Sequence, residues 1–144
     1  MGKINYGKVV LGGILGGVVY DAISFVIHQQ LLMKAFQSMV DAGLCQAPTP
    51  EKMPIMLAVG VWIGIVLAWF YAAVRPRFGG SAKTALLVGF AGWLLAVVPM
   101  TIMNMVWMKF PHEVCMTTMA GGLVQYMAAT LVAGWVYTES FLRD

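Results

Sequence analysis

IMLAVGVWIGIVLAWFYAAV, from Ile55 to Val74, is a run of 20 residues that contains no charged side chain. A helix needs about 20 mostly apolar residues to cross the hydrocarbon core of a bilayer, so this stretch predicts a membrane span. Three more stretches of that kind surround it. Val9 to Ile27 is interrupted only by Asp21, and Ala85 to Trp107 and Met116 to Thr138 carry no charge. No segment alternates with a period of two over about ten residues, which argues against a transmembrane barrel. The expectation is an all-α integral membrane protein, one domain over residues 1–144, with four transmembrane helices at about 9–27, 55–74, 85–107 and 116–138.

Composition agrees. Of 144 residues, 60% are hydrophobic and 10% charged, against roughly 25% charged in a soluble domain. A globule of this size could not hide so much apolar surface, because about a third of the surface stays exposed; lipid has to cover the rest. The net charge of +3 is scattered rather than gathered in the basic stripe that nucleic acid requires, so nucleic acid is not an expected partner. Lys3 and Lys8 precede the first span as they would in a signal peptide. The apolar run is longer than about 7–15 residues, though, and no small-x-small cleavage site follows, so it reads as a retained helix.

Lys3, Lys8, Arg75, Arg77, Lys83 and Arg143 fall on one side of this topology and Lys34, Lys52 and Lys109 on the other. By the positive-inside rule the first side, with both termini, is cytoplasmic. In the loop Arg75–Lys83, Pro76 is expected to stop the second span, Gly79 and Gly80 to permit reversal, and Ser81 to cap the third. The outer loop after the first span has its own pattern. Leu31, Leu32, Ala35, Phe36, Met39 and Val40 share a helical face opposite Lys34, Gln37, Ser38 and Asp41. This predicts a short amphipathic interfacial helix over about 30–42, ended by Gly43. Gly12, Gly13, Gly16 and Gly17, with Gly60 and Gly64, form GxxxG patterns that let helices approach closely, within one chain or between copies. Pro99 is expected to kink the third span. Tyr6, Trp69, Tyr71, Trp107, Trp135 and Tyr137 lie near span ends, where aromatic rings anchor at headgroups.

Three groups carry possible chemistry. Asp21 is the ionisable residue well inside a span, and such residues usually face the bundle interior. Gln125 lies at similar depth, with Asn104 and Thr101 nearer the outer surface. Together they predict a polar intramembrane cluster, read either as a clamp between helices or as a proton or ligand site. Of 12 methionines, ten fall in the outer half or outer loops, eight of them in M-x-x-M pairs. Met100, Met103, Met116 and Met119, with His28 and His112, are candidate soft ligands for copper, against the plainer reading of methionine as filler of apolar space. Otherwise no cofactor is expected. Cys45 and Cys115 fall together on the outer side, where an oxidising compartment allows a disulfide. There is no P-loop, no dinucleotide glycine pattern, no G-x-S-x-G and no H-E-x-x-H. His112-Glu113 reads as a solvated turn.

Trp69-Phe70-Tyr71-Ala72-Ala73-Val74-Arg75-Pro76-Arg77-Phe78-Gly79, followed by Lys83-Thr84-Ala85, resembles the second-helix end and cytoplasmic loop of a group of uncharacterised small four-helix bacterial inner-membrane proteins. The resemblance implies that fold and that membrane, and no activity. The methionine pairs and the two cysteines depart from it. The leading functional expectation is a non-enzymatic inner-membrane accessory or binding protein, alone, as a homo-oligomer or within a larger membrane complex. The alternatives are copper handling at the periplasmic face and a small proton-linked transporter using Asp21.

Overall fold

The computed structural model describes residues 4–138, apart from the side chain of Thr138; Lys3 and Arg143, counted above for topology, lie outside them. The described residues form helices and loops, without strands. Helix α1 is Tyr6–Ile27, and a π-helical turn, His28–Leu32, leads without interruption into α2, Met33–Asp41. A 3-10 turn at Pro50–Lys52 precedes α3, Met53–Phe78; α4 is Ala82–Trp107 and α5 is His112–Thr138. Four of these helical stretches are long and apolar enough to cross a membrane.

Helix ends follow local chemistry. The Asn5 side chain accepts the Lys8 N–H at 3.1 Å and starts α1. Ser81 does the same for α4, its Oγ accepting the Thr84 N–H at 3.3 Å. Each satisfies one of the N–H groups a helix start leaves without an internal partner. Gly43, at φ +71°, follows α2, and Gly79, at φ +83°, follows α3. Pro76 does not stop α3, as the sequence suggested; the helix continues through it to Phe78. A proline deletes the bond from its own nitrogen but still adopts helical φ, and here the last turn is completed by the Gly79 N–H on the Arg75 carbonyl at 2.8 Å. Helix α4 likewise runs through Pro99 as one element.

The four long helices alternate in direction. One end of the bundle carries Asn5, the α3–α4 loop and the close of α5; the other carries α2, the segment leading to α3, and the α4–α5 loop. Helix α1 packs on α3 and α5, α4 packs mainly on α5, and α5 touches all three. The core is Leu67, Ala68, Tyr71 and Ala72 of α3, Ala85 and Val88 of α4, and Tyr126, Ala129, Ala133 and Tyr137 of α5, closed by Val9. Ala129 and Ala133 are wholly buried. Outward faces are apolar, with Leu11, Ile14, Trp62, Leu95 and Trp135 all exposed, as suits a protein whose surrounding solvent is lipid.

Small residues set the spacing. On α1, Gly12 and Gly16 face α5, where an added Cβ would lie 2.9 Å from the Ala133 carbonyl oxygen and 2.7 Å from that of Ala129. Gly13 and Gly17, the next row round, face α3, where a Cβ would overlap the backbone of Ile65 and Val61. Gly64 presses on the backbone of Gly13 and Gly17 in return. Both glycine rows of α1 are therefore occupied by this chain's own helices. Tyr71 and Tyr137, read from the sequence as headgroup anchors, are buried instead, packed edge to face at 6.2 Å. Gly134 of α5 leaves room for the Tyr71 ring. Tyr6, Trp69, Trp107 and Trp135 do point outward.

Candidate functional site

A cleft of about 370 Å³ opens at the α2 end of the bundle. One wall is a single helical face that runs from α1 through the π turn into α2. Asp21, Phe25, Gln29, Met33 and Gln37 recur every four residues along it, and His28, Phe36 and Val40 fill between them. The i, i+4 spacing keeps them in line, and the π turn carries the face from one helix to the next. The opposite wall is Gln46, Ala47 and Pro48 of the loop, with Lys52, Met53, Met56 and Leu57 at the start of α3.

Asp21 lies about six residues inside the end of α1, about 9 Å along the axis. Its carboxylate rests on Gly60 of α3, so closely that a Cβ there would occupy its volume. Among the described residues no hydrogen bond or ion pair engages that carboxylate. Lys52, the cation of the cleft rim, donates instead to Gln46 Oε1 at 2.5 Å. It precedes Gly60 by eight residues, about 12 Å of helix. His28 Nδ1 lies 3.0 Å from the Ser24 carbonyl. A carbonyl only accepts, so Nδ1 carries the proton in this bond and the neutral ring presents a bare Nε2. The ring meets Phe36 edge to face at 6.0 Å.

A second cavity, about 120 Å³, lies between α1 and α5. Gln125, Thr118, Tyr20 and Ser24 line it, with Gly121 and Gly122 at its α5 wall. Its volume and its amide and hydroxyl groups suit water. Ser24 and His28 border both cavities.

The residues of the expected polar cluster thus take different places. Asp21 belongs to the large cleft and Gln125 to the small cavity, and no hydrogen bond joins them. The Thr101 hydroxyl donates to the Val97 carbonyl of its own helix at 2.7 Å; Asn104 is half-buried on α4. The bond that does tie α4 to α5 is Trp93 Nε1 to the Met119 carbonyl, 2.8 Å, and nothing in the spacing of the sequence marked it.

Of the candidate soft ligands, Met100, Met103 and Met116 are exposed on the outer faces of α4 and α5, Met119 is half-buried, and His112 is exposed at the start of α5. His28 stands apart from them in the cleft, in company with Met33, Met53 and Met56. Among the described residues no group of three or more His, Cys, Asp or Glu side chains is placed to hold a metal. Cys45 and Cys115 are both thiols. Cys45 packs on the small cluster of Leu32, Met39 and Val114 that seats α2 on the bundle, and buried Cys115 follows Val114 in α5.

Of the cleft residues, Phe36 was marked only as part of the apolar face of the outer helix, and Met33 and Met56 only among the outer methionines, Met56 in an M-x-x-M pair with Met53. Gly60 had a signal of its own, its GxxxG spacing, which pointed to packing rather than to a carboxylate. Comparison with protein-family models, with curated proteins and with solved structures finds no match.

Proposed function

We propose that this protein is a non-catalytic, multi-pass binding protein of the bacterial inner membrane, working alone or as an accessory subunit, with the α2-end cleft as its binding site. The observation that carries the reading is the cleft itself: apolar walls from two helices and a loop, with one carboxylate at depth that has no partner among the described residues. Ligand sites are commonly concave, mostly apolar, about 300–1,000 Å³, and carry a few placed polar groups. An intramembrane acid is costly and typically serves a ligand or ion path.

The Lys and Arg asymmetry supports an orientation with both termini in the cytoplasm, and the resemblance of Trp69–Gly79 supports the inner membrane. The cleft then opens toward the periplasmic leaflet, and α2, with Met39 buried and Lys34 and Gln37 exposed, lies along the interface. Native mass spectrometry of protein purified in lipid nanodiscs tests the site. A small bound species is expected with the wild type and not with Val40→Trp, which fills the cleft. An unchanged species in that variant overturns the site, and turnover of a substrate by the purified protein overturns the non-catalytic part.

A second reading, soft-metal handling, draws on Met33, Met53, Met56 and His28 sharing one cleft, with His28 Nε2 free to ligate. Thioethers and imidazole suit Cu(I). Titration with Cu(I) against a competing chelator should then show stoichiometric binding that Met53→Leu/Met56→Leu weakens; binding unchanged in that variant removes the reading.

A further inference from the structure

We infer that the ligand of the α2-end cleft is a singly charged organic cation with an apolar body, an alkylated or aromatic amine or quaternary ammonium. The inference rests on the proposed binding role of the cleft and assigns its chemistry.

The charge comes from Asp21. Its carboxylate sits at the deep end of the cleft against Gly60, with no cation paired to it among the described residues. The neighbouring cation, Lys52, is held at the rim by Gln46, some two turns of helix away. The two charges of the lining are thus held apart, the ammonium at the rim and the carboxylate at the Asp21 end, and a ligand of one positive charge seated at that end balances the carboxylate.

The body comes from the walls. Phe25 and Phe36 offer aromatic rings, whose faces attract alkylated ammonium groups. Met33, Met53 and Met56 are flexible and polarisable and adapt to irregular apolar shapes. A bare inorganic ion fits less well. About 370 Å³ far exceeds one ion, and a hard cation takes around six oxygen ligands, where the lining supplies one carboxylate and the neutral oxygens of Ser24, Gln29 and Gln37, with Gln46 Oε1 engaged by Lys52. An anion would meet that carboxylate directly.

The test uses the full chain in nanodiscs and two probes of the same shape: benzyltrimethylammonium and its uncharged isostere neopentylbenzene. Binding is measured by equilibrium dialysis, with empty nanodiscs subtracted. Expected is saturable binding of the cation, weakened at least tenfold by the isosteric Asp21→Asn, with binding of the neutral probe unaffected by that change. Val40→Trp should weaken both. Equal binding of the two probes, unchanged by Asp21→Asn but lost in Val40→Trp, overturns the cation assignment and leaves the cleft as a site for uncharged apolar molecules. Binding that ignores Val40→Trp, or no binding of either probe, overturns the cleft reading as well. Unchanged size-exclusion profiles of the variants separate these outcomes from misfolding.

Discussion

At Gly60 an added methyl group would take the space of the Asp21 carboxylate. At Gly64, one turn on, it would meet the backbone of Gly13 and Gly17. Side-chain ends move and backbone does not, so the two positions should answer differently to the same substitution. Gly60→Ala is expected to lower thermal stability less than Gly64→Ala in a detergent melting assay, while altering the cleft as Asp21→Asn does. A comparable loss at both would mean that Asp21 is fixed in place. A third residue tests the tie between α4 and α5. Trp93→Phe removes the donor to the Met119 carbonyl and should cost about 0.6 kcal/mol, the average for hydrogen bonds between membrane helices, and at most about 1.7 kcal/mol, measured by reversible unfolding in bicelles. At this scale the sequence was partly legible. Asp21 stood out because charge inside an apolar run is expensive. Its neighbours did not, because depth along a span can be counted while rotation about the axis cannot. Asp21 and Gln125 share a depth but face different helices.

The helices themselves were the most legible feature. Apolar length marks a span without reference to any partner, and Ser81, Gly43 and Gly79 mark ends by local chemistry alone. Ser81→Ala should therefore destabilise α4 by about 1 kcal/mol, a typical cap loss, read as faster amide exchange at Thr84 and Ala85. Gly43→Ala isolates backbone strain, since nothing lies within 4 Å of the added methyl; a cost of about 1–2 kcal/mol is expected for an alanine held at positive φ. A negligible cost would show that α2 ends elsewhere when the glycine is lost. Pro76 was misread because proline is a weaker signal near a helix end than in its middle. The π turn at His28–Leu32 had no signal at all: the i, i+4 recurrence of the cleft-lining face runs through it unbroken. Tyr71 and Tyr137 were misread for the same reason of rotation, lying at the right depth for headgroups but on the inner face.

For the whole molecule, the direction in which the bundle stands decides the chemistry of its cysteines. If the α2 end faces an oxidising compartment, Cys45, packed on the Leu32–Met39–Val114 cluster, and Cys115, next to Val114 in α5, both stand on that side, and a disulfide between them is the expectation to test. Protein extracted with acid trapping should then show no reactive thiols before reduction and two after. Two thiols before reduction would argue for the opposite orientation or for separated cysteines. Reporter fusions at Gly43 and Gly79 read the topology independently, with Gly79 expected on the cytoplasmic side. The glycine rows of α1 answer a different question. Both are filled from within the chain, so any oligomer must form through other faces. The place of α5 has a consequence for how the protein is made. It is the least apolar of the four spans, with Thr117, Thr118, Gln125 and Thr130 in its sequence, and it packs on all three of the others. It leaves the ribosome after them. Lipid alone gives it the weakest welcome, so its insertion is expected to depend on a waiting groove lined by Gly12 and Gly16. A nascent chain stalled before α5 would expose that groove, presenting membrane quality-control proteases with a recognisable sign of an unfinished protein.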